Sequence, residues 1–284
     1  MSKHRRSRRA RILTWTAAGV ALALAGAVSA NAVTFNFNTS TVGRGRPAPS
    51  LYEGRVFDTC TAPSLAAMKA WKSGQFYGGA AVYIGGKNRG CAQPQLTPAW
   101  VKSVDAAGWK LVPLYVGAQP PCQTSSNPER FTADDAASVG AANGADAVAK
   151  ASALGMRTGS ALYLDMEPFN LSDASCLNAV LTYVRSWDQA VRVKGYWAGM
   201  YGFTSSSAAA VATAEDRRNL PNILWYALWD KDKTTTRDWP WNPNLYTDHR
   251  RAHQYWVNST ETWGGVTLTV DRNDWDAPVA VIAK

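Results

Sequence analysis

Two carboxylates, Asp165 and Glu167, stand two residues apart at the end of the apolar run 160–166, with Pro168 directly behind them. Side chains alternate faces along a strand, so Tyr163, Asp165 and Glu167 share one face while Leu162, Leu164 and Met166 share the other. A rise of about 3.3 Å per residue sets the two acid backbones roughly 6 to 7 Å apart. Acids at the end of a buried strand are costly unless solvated or used. Such a pair can split its pKa values, one carboxyl protonated and its neighbour ionised, as general acid catalysis on a glycosidic bond requires.

Strand-like segments fall at 54–58, 80–84, 110–116, 160–167, 196–201, 223–228, 252–256 and 267–271. Helix-like stretches lie between them at 64–72, 98–107, 132–154, 176–193 and 205–216, whereas 234–251 is interrupted by Pro240 and Pro243. Gly74, Gly108, Gly155 and Gly195 follow four of these helices, where a left-handed residue closes the last turn. Thr132 with Asp135 three residues on reads as a helix start. Eight apolar strands with intervening helices predict an α/β fold with a parallel sheet, economically closed as a (β/α)8 TIM-type barrel. A doubly wound open sheet is the alternative. In a barrel, function gathers at the carboxyl ends of the strands. Those ends offer Asp58, Tyr83, Tyr115, Tyr201, Trp229, Gln254, Trp256 and Asp271 as substrate-binding candidates around a catalytic Asp165 and Glu167. Of the thirteen tryptophans, Trp229 and Trp256 are the candidates for stacking on sugar faces, and Trp71, Trp109 and Trp187 are assigned to packing.

Lys3, Arg5, Arg6, Arg8, Arg9 and Arg11 precede an apolar stretch, 12–28, followed by Ala30-Asn31-Ala32. That order is the pattern of an export signal over 1–32, and the Arg8-Arg9 pair favours the twin-arginine route over the general secretory one. An uncleaved membrane anchor is the competing reading of the same stretch. Removing those six basic residues and no acid lowers the formal charge from +9 to +3, which argues against a nucleic-acid partner. Residues 33–51 read as a linker or extended arm and 52–284 as one domain. The expected location is secreted or cell-envelope, with the membrane touched only during export.

All four cysteines, Cys60, Cys91, Cys122 and Cys176, lie beyond the leader, and an even number in an oxidising compartment favours two disulfides. Three pairings are available. Neighbouring loops on one barrel rim favour Cys60 with Cys91 and Cys122 with Cys176. No spacing fits a zinc site. His249 and His253 have a four-residue spacing but no Glu after the first, and no Gly-x-Ser-x-Gly elbow is present. Neither a metal nor a cofactor is expected.

Phe57-Asp58, Leu162-Tyr163-Leu164-Asp165-Met166-Glu167, Leu224-Trp225-Tyr226-Ala227, His253-Gln254-Tyr255-Trp256 and Val270-Asp271-Arg272-Asn273 resemble the strand motifs of glycoside hydrolase family 25 lysozymes. Those are peptidoglycan-cleaving barrels. With Phe57-Asp58-Thr59-Cys60 and Leu114-Tyr115-Val116-Gly117, the chain is more similar still to the glycoside-hydrolase-like domain of unknown function 1906 of exported bacterial proteins. The resemblance implies that Glu167 protonates the leaving oxygen while an ionised Asp165 stabilises the positive charge on the sugar. It also implies that Asp58 and Asp271 hold sugar hydroxyls or the attacking water. The expected activity is hydrolysis of cell-wall glycan, peptidoglycan or a related polysaccharide. A catalytically silent barrel that binds the same polymer is the alternative, and a structural envelope protein with a protein partner is a third.

Overall fold

The structure, a computed structural model, describes residues 46–123 and 125–284. The expected export signal and residues 33–45 of the expected arm lie outside the described residues. Arg46, inside them, places its guanidinium 3.6 Å from the Trp197 ring.

The order is β1 (Ser50–Asp58), α1 (Leu65–Ser73), β2 (Gly79–Gly85), α2 (Pro98–Ala106), β3 (Lys110–Val116), α3 (Ala136–Ala153), β4 (Ala161–Asp165), α4 (Ala174–Arg192), β5 (Trp197–Phe203), α5 (Ser207–Thr213), β6 (Ile223–Ala227), β7 (Arg251–Trp263) and β8 (Val266–Val279). The eight strands close into a barrel in sequence order, a TIM-type architecture as expected. Side-chain caps begin the helices: Ser64, Thr97 and Asp173 accept from the backbone N–H of Ala67, Trp100 and Cys176. Thr132 and Asp135 bond reciprocally, each side chain accepting from the other's N–H, and this closes a turn ahead of α3, which starts at Ala136. Gly108, Gly155 and Gly195 take the left-handed conformation expected of them, with φ of +87°, +81° and +82°. Gly74 does not. Its φ is −71°, and it is small for another reason, since a Cβ there would lie 2.8 Å from the Trp263 ring.

β1 to β7 run parallel to their neighbours, but β8 runs antiparallel to both β7 and β1. An all-parallel sheet was expected. The difference lies at Gly264 and Gly265, whose φ values of +57° and +79° make a two-residue hairpin turn. Thr260 pairs with Thr269, and Thr262 with Thr267, across that hairpin. Its tip packs on α1, where the Trp71 indole donates to the Val266 carbonyl at 2.8 Å. No helix forms between β6 and β7, so His249 and His253 do not share a helical face; His253 lies on β7.

The buried residues form two layers. Between the barrel and its helices lie Phe57, Trp71, Trp109, Leu162, Leu164, Tyr183 and Trp187, which includes the three tryptophans assigned to packing. Inside the barrel lie Val56, Ala81, Val112, Leu114, Tyr163, Tyr201, Trp225 and Trp275. Tyr163, Trp225 and Trp275 meet edge to face, with centroids 5.2 to 6.2 Å apart, and plug the lumen. The site is built on that floor.

Candidate active site

β4 alternates as its sequence requires, with Leu162 and Leu164 outward and Tyr163 inward, so Asp165 ends the strand at the mouth of the lumen. Glu167 follows on the turn beyond it and is partly open to solvent. That turn is strapped from two sides. Gln119, in the loop after β3, donates to the Asp165 carbonyl at 3.1 Å and accepts from the Glu167 N–H at 2.9 Å. The Ser207 hydroxyl donates to the Met166 carbonyl at 2.6 Å, and the Ser206 hydroxyl both accepts from and donates to the Phe169 backbone. Gln123 reaches the Pro168 carbonyl at 3.1 Å. Acid positions fixed this way need no reorganisation when a substrate arrives.

On the opposite wall, Asp58 ends β1 directly across from Asp271 on β8. Two amides aim their N–H groups at the Asp58 carboxyl: Asn273 at 2.8 Å and Gln254 at 3.1 Å. Each amide is held in that sense by its own oxygen. The Asn273 oxygen accepts from the Trp225 indole at 2.7 Å, and the Gln254 oxygen accepts from the Tyr201 hydroxyl at 2.8 Å and the Trp229 indole at 3.0 Å. Flipping either amide would set donor against donor. Asp58 is therefore required as an acceptor, and the Asn258 N–H holds Asp271 at 2.7 Å.

Electrostatics ties the two walls together. The Tyr83 hydroxyl is pushed well above its usual range, first by burial and then by the charges of Asp58, Asp165, Asp271 and Glu167, so the fields of all four acids reach one phenol. Asp58 is raised to about 7 by burial and next by Asp271, against the bonds from Asn273 and Gln254. Asp165 is raised furthest of the strand-end pair, by burial, then by the charges of Glu167 and Asp58, and by the hydrogen bond it gives Glu167. Glu167 is also raised by burial, but that bond from Asp165 pulls it down. Burial thus raises Asp165 more than Glu167, because Asp165 is 4% exposed and the charged form is least tolerated there.

The structure brings together Asp58, Tyr83, Asp165, Glu167, Tyr201, Gln254, Trp229 and Asp271. Trp229 is 53% exposed and rests its edge on Phe203, a rigid apolar platform at the rim. Tyr115 is not in the group: it points outward, and its hydroxyl bonds Asp146 of α3 at 2.9 Å. Trp256 is also apart, because a shift in register after Gln254 sets it opposite Arg272, between that guanidinium and the Lys231 ammonium. The favoured disulfides are both present, Cys60–Cys91 bridging the loops after β1 and β2, and Cys122–Cys176 tying the Gln119 loop to the start of α4. Asn273, Gln119 and Phe203 were missed. Asn273 was readable, since it lies two residues from Asp271 on the same face of a strand. Among the described residues, no three His, Cys, Asp or Glu side chains are grouped to hold a metal ion.

The family described as "Rv2525c-like, glycoside hydrolase-like domain" matches residues 69–275. An uncharacterized protein of B. stearothermophilus superposes with a TM-score of 0.53 at 18% identity, covering 78% of this chain and 96% of its own. The Mycobacterium tuberculosis Tat-secreted protein Rv2525c, in complex with L-tartrate, gives 0.53 at 17% identity, with 79% and 96% covered. The same mycobacterial protein with HEPES gives 0.51 at 20% identity, over 79% and 96%. These likenesses are of fold. No curated protein matches the chain in sequence.

Proposed function

We propose that this chain, which belongs to the Rv2525c-like family of glycoside hydrolase-like domains, is an exported protein that hydrolyses glycosidic bonds of bacterial cell-wall glycan at the mouth of its barrel. The observation that carries the reading is the placement of four carboxyls at one end of the barrel, Asp58 paired with Asp271 across β1 and β8 and Asp165 with Glu167 at the end of β4, two of them buried and two partly open to solvent. Export is supported by the basic leader with its apolar stretch, by the two disulfides, and by the Tat-secreted description of the mycobacterial relative.

Asp165 and Glu167 together hold one proton. Glu167, the member nearer solvent, meets the glycosidic oxygen. A sugar seated against Trp229 excludes water from Glu167 and raises it further, so the proton passes along the Asp165–Glu167 hydrogen bond and on to the leaving oxygen. Asp165 is left ionised, beside the positive charge growing on the sugar carbon or against a neighbouring N-acetyl group. Asp58 and Asp271 then serve hydroxyls or the attacking water. Purified peptidoglycan incubated with the protein is expected to release reducing ends, and Glu167→Gln to stop the release. Equal release by both proteins removes Glu167 from the role.

One observation favours a second reading, a binding barrel without cleavage. Burial raises Asp165, and one of its oxygens is buried without a partner among the described residues. That reading predicts retention on cell walls that depends on Trp229, with no bond broken.

A further inference from the structure

We propose a second site, on the outer wall of the barrel at β1, that binds a phosphate monoester group. Because β8 returns as a hairpin strand, no helix follows it to cover the β8–β1 wall, and a cavity of about 470 Å³ opens there. Tyr52, Arg55, Lys72, Phe76, Tyr77 and Lys233 line it. The volume is that of a small-molecule site. Three cations reach it from three different elements: Arg55 from β1, Lys72 from the last turn of α1, and Lys233 from the loop after β6. Among the described residues, no carboxylate lines it.

None of the three cations forms an ion pair among the described residues. Arg55 lies over the Phe76 ring at 4.0 Å, and its Nε is buried without a hydrogen bond. Lys72 gives one bond, to the Gly108 carbonyl at 2.9 Å, which leaves two of its three donors. Asp274 stands opposite Arg55 in the β1–β8 ladder, near enough for the charges of Lys233 and Arg55 to act on its carboxyl, but it neither pairs with them nor lines the cavity wall. Nearby Glu261 is occupied by Tyr77, Trp263 and Arg272. The Arg55 Nε is closed off from the cavity, but its terminal nitrogens are not buried and have no hydrogen bond among the described residues, and a tetrahedral oxyanion supplies acceptors of matched geometry to that outer edge. Three positive charges around one cavity suit a doubly charged monoester better than a carboxylate or a diester. The site faces away from the lumen, since Arg55 is outward on a strand whose Asp58 is inward, so it is separate from the acid cluster.

The test is calorimetric titration of the full chain with inorganic phosphate, with acetate and dimethyl phosphate as singly charged controls at equal ionic strength. Saturable binding to one site is expected, weakened tenfold or more by Arg55→Met and by Lys233→Met. Lys150→Met, in a different groove, and Glu167→Gln should leave it unchanged. Lys233 is exposed on a loop, so its variant decides the matter if Arg55→Met fails to fold. Absence of saturation, equal binding of acetate or dimethyl phosphate, or an equal loss in Lys150→Met would overturn the proposal. Loss in Glu167→Gln would also overturn it, by moving the site into the lumen.

Discussion

The lower and upper halves of the barrel lumen are equally buried and chemically opposite. Below, Tyr163, Trp225 and Trp275 interlock, and each polar atom has a partner: the Tyr163 hydroxyl on the Pro278 carbonyl, the Trp275 indole on Ala277, and the Trp225 indole on Asn273. Above, Asp58 and Asp165 are 2% and 4% exposed, and both are held well above the ordinary carboxylate range by that burial. The floor stabilises the fold, whereas the mouth draws on that stability to keep acids where water would otherwise ionise them. The two halves share the Trp225–Asn273–Asp58 chain, so the floor also orients the mouth.

Truncating the floor should therefore lower stability, whereas neutralising the buried Asp165 of the mouth should raise it. The largest effect expected is on rate: Glu167→Gln should lower glycan cleavage by about 10²–10⁴-fold while the melting temperature stays put. A matching drop in melting temperature would blur the division. In the floor, Trp225→Ala should cost about 3–5 kcal/mol in urea unfolding, and the freed Asn273 amide should cost activity as well. Removing the Cys122–Cys176 bridge by paired Ala substitution should cost about 2–4 kcal/mol, with the Gln119 loop loosened.

Asp165→Asn should instead stabilise the protein at pH 7, by about 0.5–2 kcal/mol, and abolish cleavage. The sign follows from proton binding. Asp58 and Asp165 have folded-state pKa values above their unfolded ones, so the folded chain holds protons that the unfolded chain has released. Stability contributed by Asp58 is therefore full below the ordinary carboxylate range and falls as pH rises toward about 7. Unfolding midpoints measured from pH 4 to pH 7 should decline, and less steeply in Asp165→Asn. The smallest effect belongs to Tyr115→Phe, which should lose about 1 kcal/mol with its bond to Asp146 and leave cleavage unchanged.

Much of this division was legible in the sequence, for reasons that also mark where legibility ends. The β4 run carries acids on one face and apolar residues on the other, so its orientation could be read directly. β3 is apolar on both faces, as strands of a covered parallel sheet are, and nothing in its pattern tells that Tyr115 turns outward. Asp271 was placed at the mouth as the carboxyl end of a parallel strand. It is there because an antiparallel β8 pairs it with Asp58, and Gly264-Gly265 between alternating threonines was the readable sign of that hairpin. The larger rise at Asp165 was not legible, since burial depends on depth below the rim rather than on spacing along the strand.

The most direct test measures binding and cleavage on the same sample: the fraction of protein sedimenting with purified peptidoglycan and the reducing ends it releases, for wild type and Glu167→Gln. Hydrolysis by Glu167 predicts that both proteins sediment alike and that the wild type alone releases reducing ends. A wild type that sediments with the glycan and releases none would contradict it and leave a binding barrel.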